Sequence, residues 1–408
     1  MKESKKRAAF LKTFYKLKQI NKEEIKITKE EKNIYDLIYN DISTAYFLMN
    51  NKKNEIKNTI NKKGNKPGIY DSHFFPAEIR EYIKENEQSQ LTYTYNDIVI
   101  HFTLFSAEEL LHLDNYASQV HIMFVWIYIC RKYAKKICAN KIQIYIYPTP
   151  FEKVLPVSKI DILAAEHVNT AYTYHCPNDG EIVIFRNEEW FKVFLHETFH
   201  TYGFDFSNLN SNINSNVINA TLRRIFSIES EFNAAEAYTE TWARIMNCAF
   251  NAFYRLPNKK EKEKFYMILK TSLELERTFS IFQCNKILNF MGMSYADLHN
   301  KKEAGKRNLY REKTNVFAYY ILTAIFMNNS SGFLHWCYTH NESSLFQFNN
   351  QSTLNLNTFS TYIEREYLNE NLNECLIDMH DFYIKTTKQK RKEVNGLLLE
   401  TMRMTLFG

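Results

Sequence analysis

Strand-type and helix-type patterning occupy different stretches of this chain, and the changeover falls at residue 187. Ahead of it, short apolar runs bounded by turn formers recur. Leu91–Tyr95 and Ile98–Phe105 flank Asn96-Asp97, Pro148 stops Ile142–Tyr147, and Val168–Tyr174 with Glu181–Arg186 flank Pro177-Asn178-Asp179-Gly180. These runs predict strands, the first and last pairs as hairpins, with Gly180 supplying a positive φ at its turn. Within Glu181–Arg186, Ile182 and Ile184 share one face and Val183 and Phe185 the other. Beyond 187, apolar residues recur every three or four positions over 220–254, 259–291 and 314–328, the mark of helices. Helical spacing before 187 is confined to Ala8–Ile20, Glu30–Met49, Pro76–Asn86 and Ser106–Ile137. Strands gathered in one region and helices in another predict an α+β fold with a mainly helical C-terminal lobe. The turn-rich stretch 63–68 suggests three parts: a helical N-terminal extension over 1–68, an α/β unit over 69–206 and a helical unit over 207–408.

Composition narrows the function classes. A chain of 408 residues with 45% hydrophobic and 15% aromatic residues can bury a large core, which excludes collagen-like, mucin-like and wholly disordered readings. The net charge of +6 comes from 52 basic against 46 acidic residues. Much of the excess sits near the ends, at Lys2, Lys5, Lys6, Arg7, Lys385, Lys388, Lys390, Arg391 and Lys392, so solvated tails are expected and nucleic acid is not. The seven cysteines, at 130, 138, 176, 248, 284, 337 and 375, are odd in number and form no CxxC pair, which predicts free thiols in a reducing compartment. MKESKKRAAF lacks the apolar stretch of a signal peptide, and the longest apolar run, Ile122–Cys130, is too short to cross a bilayer. An intracellular, cytoplasmic protein with no membrane span is the expectation. Plentiful Asn, Lys, Ile, Tyr and Phe against nine Gly and seven Pro is the bias of AT-rich genomes, large DNA viruses among them, for which a viral factory or virion would be the location.

Chemistry concentrates in His196-Glu197-Thr198-Phe199-His200. The segment 188–202 is predicted as a helix, with Asn187 as its N-cap, Glu188 and Glu189 favourable in its first turn, and Gly203 as a left-handed stop. Residues four apart lie on one helical face, so His196 and His200 can present imidazole nitrogens to one tetrahedral ion. Zinc held there lowers the pKa of its water toward about 7, and Glu197, beside the two histidines, can take that water's proton and return it to a leaving amine. A catalytic zinc needs a third protein ligand. Asp205 follows closely, and Glu229 and Glu231 are further acids, but Glu236 is the favoured candidate. Glu236, Glu240 and Arg244 stand one helical turn apart, so Glu240 could accept a hydrogen bond from a ligand histidine's other nitrogen while Arg244 balances charge.

HExxH after a predicted sheet resembles the zincin metallopeptidases. The Glu236-to-Glu240 spacing resembles their gluzincin branch, and with Arg244 and the surrounding aromatics it is especially similar to lethal-factor-like members. The likeness covers residues 168–250. It implies a zincin-like mixed β-sheet, a zinc ion and a zinc metalloendopeptidase acting on a peptide or protein substrate, with Glu197 as general base. It also implies that an edge strand holds the substrate extended; by position this falls on Glu181–Arg186, making Ile182, Val183, Ile184 and Phe185 the substrate-binding residues. In the family a tyrosine about two helical turns before the third ligand assists the reaction; Glu229 stands there instead. The oxyanion donor therefore remains among Tyr202, Tyr238, Tyr319, Tyr320, His335 and His340, with Tyr319 and Tyr320 read as core packing. The alternative function is a catalytically inactive zincin-fold structural or protein-binding protein.

Overall fold

The computed structural model describes residues 26–62, 64–68, 74–207, 215–300, 304–341, 344–349, 353–389 and 398–408, with isolated positions 7, 9, 11, 14, 70 and 72. Most of the expected helix Ala8–Ile20, and the basic residues Lys390, Arg391 and Lys392, lie outside them. The architecture is α+β. Six strands, β1 (Lys57–Asn61), β2 (Ser89–Tyr95), β3 (Ile98–Leu104), β4 (Lys141–Ile146), β5 (Ala171–Thr173) and β6 (Asp179–Ile184), form one mixed sheet in the order β1-β2-β3-β4-β6-β5. β2 and β3 form the expected hairpin, with Asn96 taking a positive φ at its turn. β4 runs parallel to both β3 and β6, and β5 returns antiparallel along β6.

The period of two along the central strands sorts side chains onto two faces. Ile142, Ile144, Ile182 and Ile184 face the main core, while Tyr145, Tyr147, Val183 and Phe185 join Phe75, Ile79 and Ile83 in a smaller cluster on the other face. Helices numbered in chain order are α1 (Lys29–Asn51), α2 (Ala77–Asn86), α3 (Leu113–Tyr133), α4 (Trp190–Thr201), α5 (Ser215–Ile225), α6 (Ala234–Tyr254) and α7 (Lys262–Phe290). α2 supplies Ile79 and Ile83 to the smaller cluster. α4 lies between α3 and α6: Phe199 stacks on Trp126 of α3 at 6.0 Å and on Trp242 of α6 at 6.3 Å. The Trp126 indole donates to Thr198 Oγ1 at 2.6 Å, fixing the rotation of α4 about its axis.

Several expectations change. The predicted helix 220–254 is two helices, because Phe226–Asn233 leaves helical geometry before Asn233 caps α6. Asn187 does not start α4; the N-cap is Glu189, itself left-handed at φ 58°. Glu188 and Glu189, expected in the first turn, stand ahead of it and are buried, where they bind Lys153 and the segment 398–405. That segment crosses the molecule as a strap, joined by the bridge Val154–Thr401 and by Met402 N–H to Lys153 O at 2.8 Å. The division at 63–68 separates no cores: β1 belongs to the sheet, and Leu11, Phe14, Ile34, Tyr35 and Ile38 share one apolar core with Trp126, Trp242 and Leu406. Cys138 and Cys176 are joined as a disulfide, against the expectation of free thiols; five other cysteines are free. No helix among the described residues is long and apolar enough to cross a membrane.

Candidate metal centre

α4 carries His196 and His200 on the face turned toward the start of α6. Asn233 accepts the Glu236 N–H at 3.4 Å and so sets Glu236 in the first turn of α6, where the helix dipole favours a negative charge. The two helices pack directly, and three ligand-type atoms converge. Glu236 Oε2 is 3.1 Å from His196 Nε2, Glu236 Oε1 is 3.5 Å from His200 Nε2, and the two Nε2 atoms are 3.2 Å apart. Ligand atoms about 2.0–2.1 Å from a tetrahedral ion lie roughly 3.3 Å from one another, so these separations suit a zinc-sized cation.

The tautomers support the same fit. His196 Nδ1 faces Glu240 at 3.1 Å and His200 Nδ1 faces Asp205 at 2.5 Å. Both carboxyls are held well below the usual range. Burial alone would raise them; Lys192 and Arg244 overcome it at Glu240, and His200 and His175 at Asp205. As ionised carboxylates they can only accept, so each Nδ1 carries the hydrogen. Both Nε2 lone pairs then point at each other and at the Glu236 carboxylate, an arrangement that calls for a cation or for protons. Without a cation, the carboxylates outweigh burial and raise the pKa of both histidines, His200 the more strongly.

Supporting contacts extend inward. Glu240 accepts from Lys192 Nζ at 3.0 and 3.1 Å and from Arg244 Nε at 2.8 Å, all three side chains being buried. Arg244 also donates to Ser280 Oγ at 2.6 Å and to the Tyr319 carbonyl at 3.0 Å. Glu240 and Arg244 thus stand where the spacing argument put them. Asp205 does not: it sits behind His200 as the hydrogen-bond acceptor of Nδ1, away from the convergence of Nε2 atoms. Glu229 and Glu231 are exposed and belong to no metal-capable group among the described residues.

Tyr319 packs against the main core, as its apolar helix implies, and its hydroxyl also reaches the site. It lies in a π-helical segment, Phe317–Leu322, and its hydroxyl donates to Glu236 Oε2 at 2.8 Å. Burial pushes its pKa well above the ordinary value and nearby Glu236 adds to this, so it stays protonated and able to donate. The wider helical turn was invisible in the apolar spacing. The other donor candidates are elsewhere: Tyr238 binds Phe346 O, Tyr320 binds Met402 O, Tyr202 is buried in the main core, His335 pairs with Glu30 and His340 stacks on Trp336.

A cavity of about 60 Å³ opens beside the cluster, lined among others by Thr170, Ala171, Val193, His196, Glu197 and Tyr319. Burial raises the Glu197 pKa against the pull of the two histidines, and its carboxylate has no hydrogen-bond partner among the described residues. The edge-strand expectation needs correction. β6 is flanked by β4 and β5, so Ile182, Val183, Ile184 and Phe185 are fully buried core residues and cannot line a substrate groove. The hairpin folds β5 over the outside of β6, and β5 is the edge that reaches the cavity, through Ala171.

No family model matches the chain, and no solved structure matches it. An uncharacterized protein of Acanthamoeba polyphaga mimivirus is 28% identical over 121 residues, which is 29% of this chain and 28% of that protein. The chain therefore spans under a third of the length of this curated relative.

Proposed function

We propose that this chain is a zinc-dependent peptidase with a zincin-type fold, in which His196, His200 and Glu236 hold the metal and Glu197 is the general base. The observation that carries the proposal is the convergence of two imidazole Nε2 atoms and one carboxylate at 3.1–3.5 Å, with the Glu197 carboxylate facing the cavity next to them. A mixed sheet ending in a short antiparallel strand beside the HExxH helix supports the fold reading. Zinc in this site would supply a Lewis acid and lower the pKa of a bound water toward about 7. Glu197, its affinity for a proton raised by burial, is suited to take the proton of the attacking water and pass it to the leaving amine. Tyr319 keeps its proton and can donate to the oxygen that becomes negative at the substrate carbonyl. β5 can pair with an extended peptide through its backbone, which favours shape over side-chain identity. Glu240 and Asp205 hold the two imidazoles in their metal-binding tautomers.

Glu197 lines the cavity, and its carboxylate makes no hydrogen bond among the described residues that a purely structural role would require. Glu197 therefore favours hydrolysis over a zincin-type fold retained only as a structural or protein-binding scaffold. The test combines zinc stoichiometry with mass-spectrometric scoring of a mixed peptide library. Wild-type protein is expected to hold one zinc and cleave, Glu197→Gln to hold zinc without cleaving, and Glu236→Gln to lose zinc. Equal cleavage by wild type and Glu197→Gln would exclude Glu197 as base; zinc without cleavage by the wild type favours the scaffold.

A further inference from the structure

The residue that orients His200 is itself held from outside α4. Asp205 Oδ2 accepts from His200 Nδ1–H at 2.5 Å. Its Oδ1 accepts from Ser207 N–H at 2.7 Å and Ser207 Oγ at 2.6 Å, and lies 3.2 Å from His175 Nδ1. The Ser207 hydroxyl is 2.7 Å from the same His175 nitrogen. His175 belongs to the corner between β5 and β6, and the next residue, Cys176, donates its N–H to the His200 carbonyl at 2.9 Å. One corner therefore touches His200 twice, at its backbone and through Asp205 at its ring.

At the base of that corner Thr173 Oγ1 donates across the hairpin to Glu181 O at 2.6 Å. Cys176 is a non-glycine residue at φ 45°, and no glycine turn supports it; Gly180 lies within β6. Further support comes from the Cys138–Cys176 disulfide, which ties the corner to the loop before β4, with Ala139 N–H bound to Pro177 O at 2.7 Å and Asn140 Nδ2 donating to Asn178 Oδ1 at 2.9 Å beside it. The sulfur pair also packs under the end of α4. A Cβ on Gly203 would stand 3.2 Å from both Cys138 Sγ and Cys176 Cβ. Cys138 is buried, whereas Cys176 is half-buried between exposed Tyr174 and Asn178, so a reductant reaches the bond from the Cys176 side.

We propose that His175 and the Cys138–Cys176 bond form a thiol-sensitive latch that sets metal affinity by holding Asp205 against His200. This rests on the reading of His196, His200 and Glu236 as the metal site. The chemistry is a dithiol exchange. A thiolate of an external dithiol attacks Cys176 Sγ and Cys138 leaves as a thiolate that takes a proton. The second thiol then closes the dithiol into its own disulfide and releases Cys176 as a thiol. Two electrons enter the protein bond, and the dithiol is oxidised. With the bond open, the corner is free to carry His175 away from Asp205, and His200 loses part of its orientation. His175 acts as a positioning residue.

The experiment measures zinc affinity of the full chain by competition with a chromophoric chelator, before and after treatment with a non-chelating phosphine reductant. Alkylation and mass spectrometry score the two thiols, and near-ultraviolet circular dichroism reports folding. Outer hydrogen-bond partners of ligand histidines typically contribute about 10–100-fold to metal affinity, and reduction is expected to weaken zinc about tenfold with the spectrum unchanged. Cys176→Ser should be equally weak and indifferent to the reductant. His175→Ala should also be weakened and insensitive to reduction, although its disulfide still opens. Affinity within twofold in both redox states refutes the latch, and so does zinc loss accompanied by collapse of the spectrum, which would make the bond a plain staple. Loss of zinc in His196→Ala and Glu236→Gln is the separate control: if those variants bind zinc normally, the metal reading fails, whatever reduction does.

Discussion

Replacing Glu240 by glutamine isolates the electrostatic core of the site. Glu240 is fully buried and neutralises Lys192 and Arg244, which are 2% and 1% exposed. Glutamine keeps the shape but removes the charge, and its amide nitrogen must face a donor: Lys192, Arg244 or the Nδ1–H of His196. Removing one partner of a buried ion pair costs about 3–5 kcal/mol, because the other charge is left uncompensated. For unfolding entropy near 2.1 cal/mol/K per residue, the chain of 408 residues has about 0.9 kcal/mol/K in total, so the melting temperature should fall by about 4–6 °C. His196 also loses the acceptor that fixes its tautomer, and zinc affinity should fall about 10–100-fold. Differential scanning calorimetry of the metal-free protein and chelator competition read the two effects separately. An unchanged melting temperature would mean that Lys192 and Arg244 find other partners. An unchanged zinc affinity would mean that Glu240 does not orient His196.

Three further outcomes follow from the same geometry. Tyr319→Phe keeps the ring but removes the donor, so kcat of the zinc-loaded protein on any cleaved peptide should fall about 10²–10³-fold, and zinc affinity should fall as well, by about tenfold, because Glu236 loses a hydrogen bond; an equal kcat removes Tyr319 from the chemistry. Metal-free protein should lose stability as pH rises: the folded pKa of His200 lies well above 6.5, so its contribution is complete below about 6.5 and lost as pH passes the folded value. Zinc affinity should rise over the same range, since the metal competes with those protons, and a flat profile in both measurements contradicts the assignment of the Nε2 pair. Gly203→Ala places a Cβ at φ +66° and 3.2 Å from the disulfide, for an expected loss of about 1–2 kcal/mol in thermal melts; no loss would show that the left-handed turn is not required.

How much of this was legible beforehand depended on whether the signal was local. HExxH, the hairpin about Asn96 and the left-handed Gly203 follow from neighbouring residues, and the structure carries all three. Glu236, Glu240 and Arg244 were readable because helical spacing puts them on one face. Tyr319 was not, because an aromatic in an apolar run looks the same whether it faces a core or a cavity. The edge of the sheet was assigned to β6 instead of β5 because strand order depends on pairing between distant segments, which alternation does not encode. Cys138 and Cys176 carry no spacing signal, their meeting being made by β4 and the β5–β6 corner. Glu188 and Glu189 suit the first turn of a helix by the dipole argument, but the helix starts after them and Lys153, Arg403 and the strap enclose both, partners that lie far away in the sequence.

The strap also has a consequence for biosynthesis. Glu189 receives the backbone N–H of Met404 from 215 positions downstream. At ordinary elongation speeds a ribosome needs about 10–40 s to make that much chain. Until it does, the N-cap Glu189 and its neighbour Glu188 are two carboxylates with only part of their counter-charge. A nascent polypeptide thus carries both histidines, packed on Trp126 and Trp242, long before the start of their helix is closed by residues in the 400s.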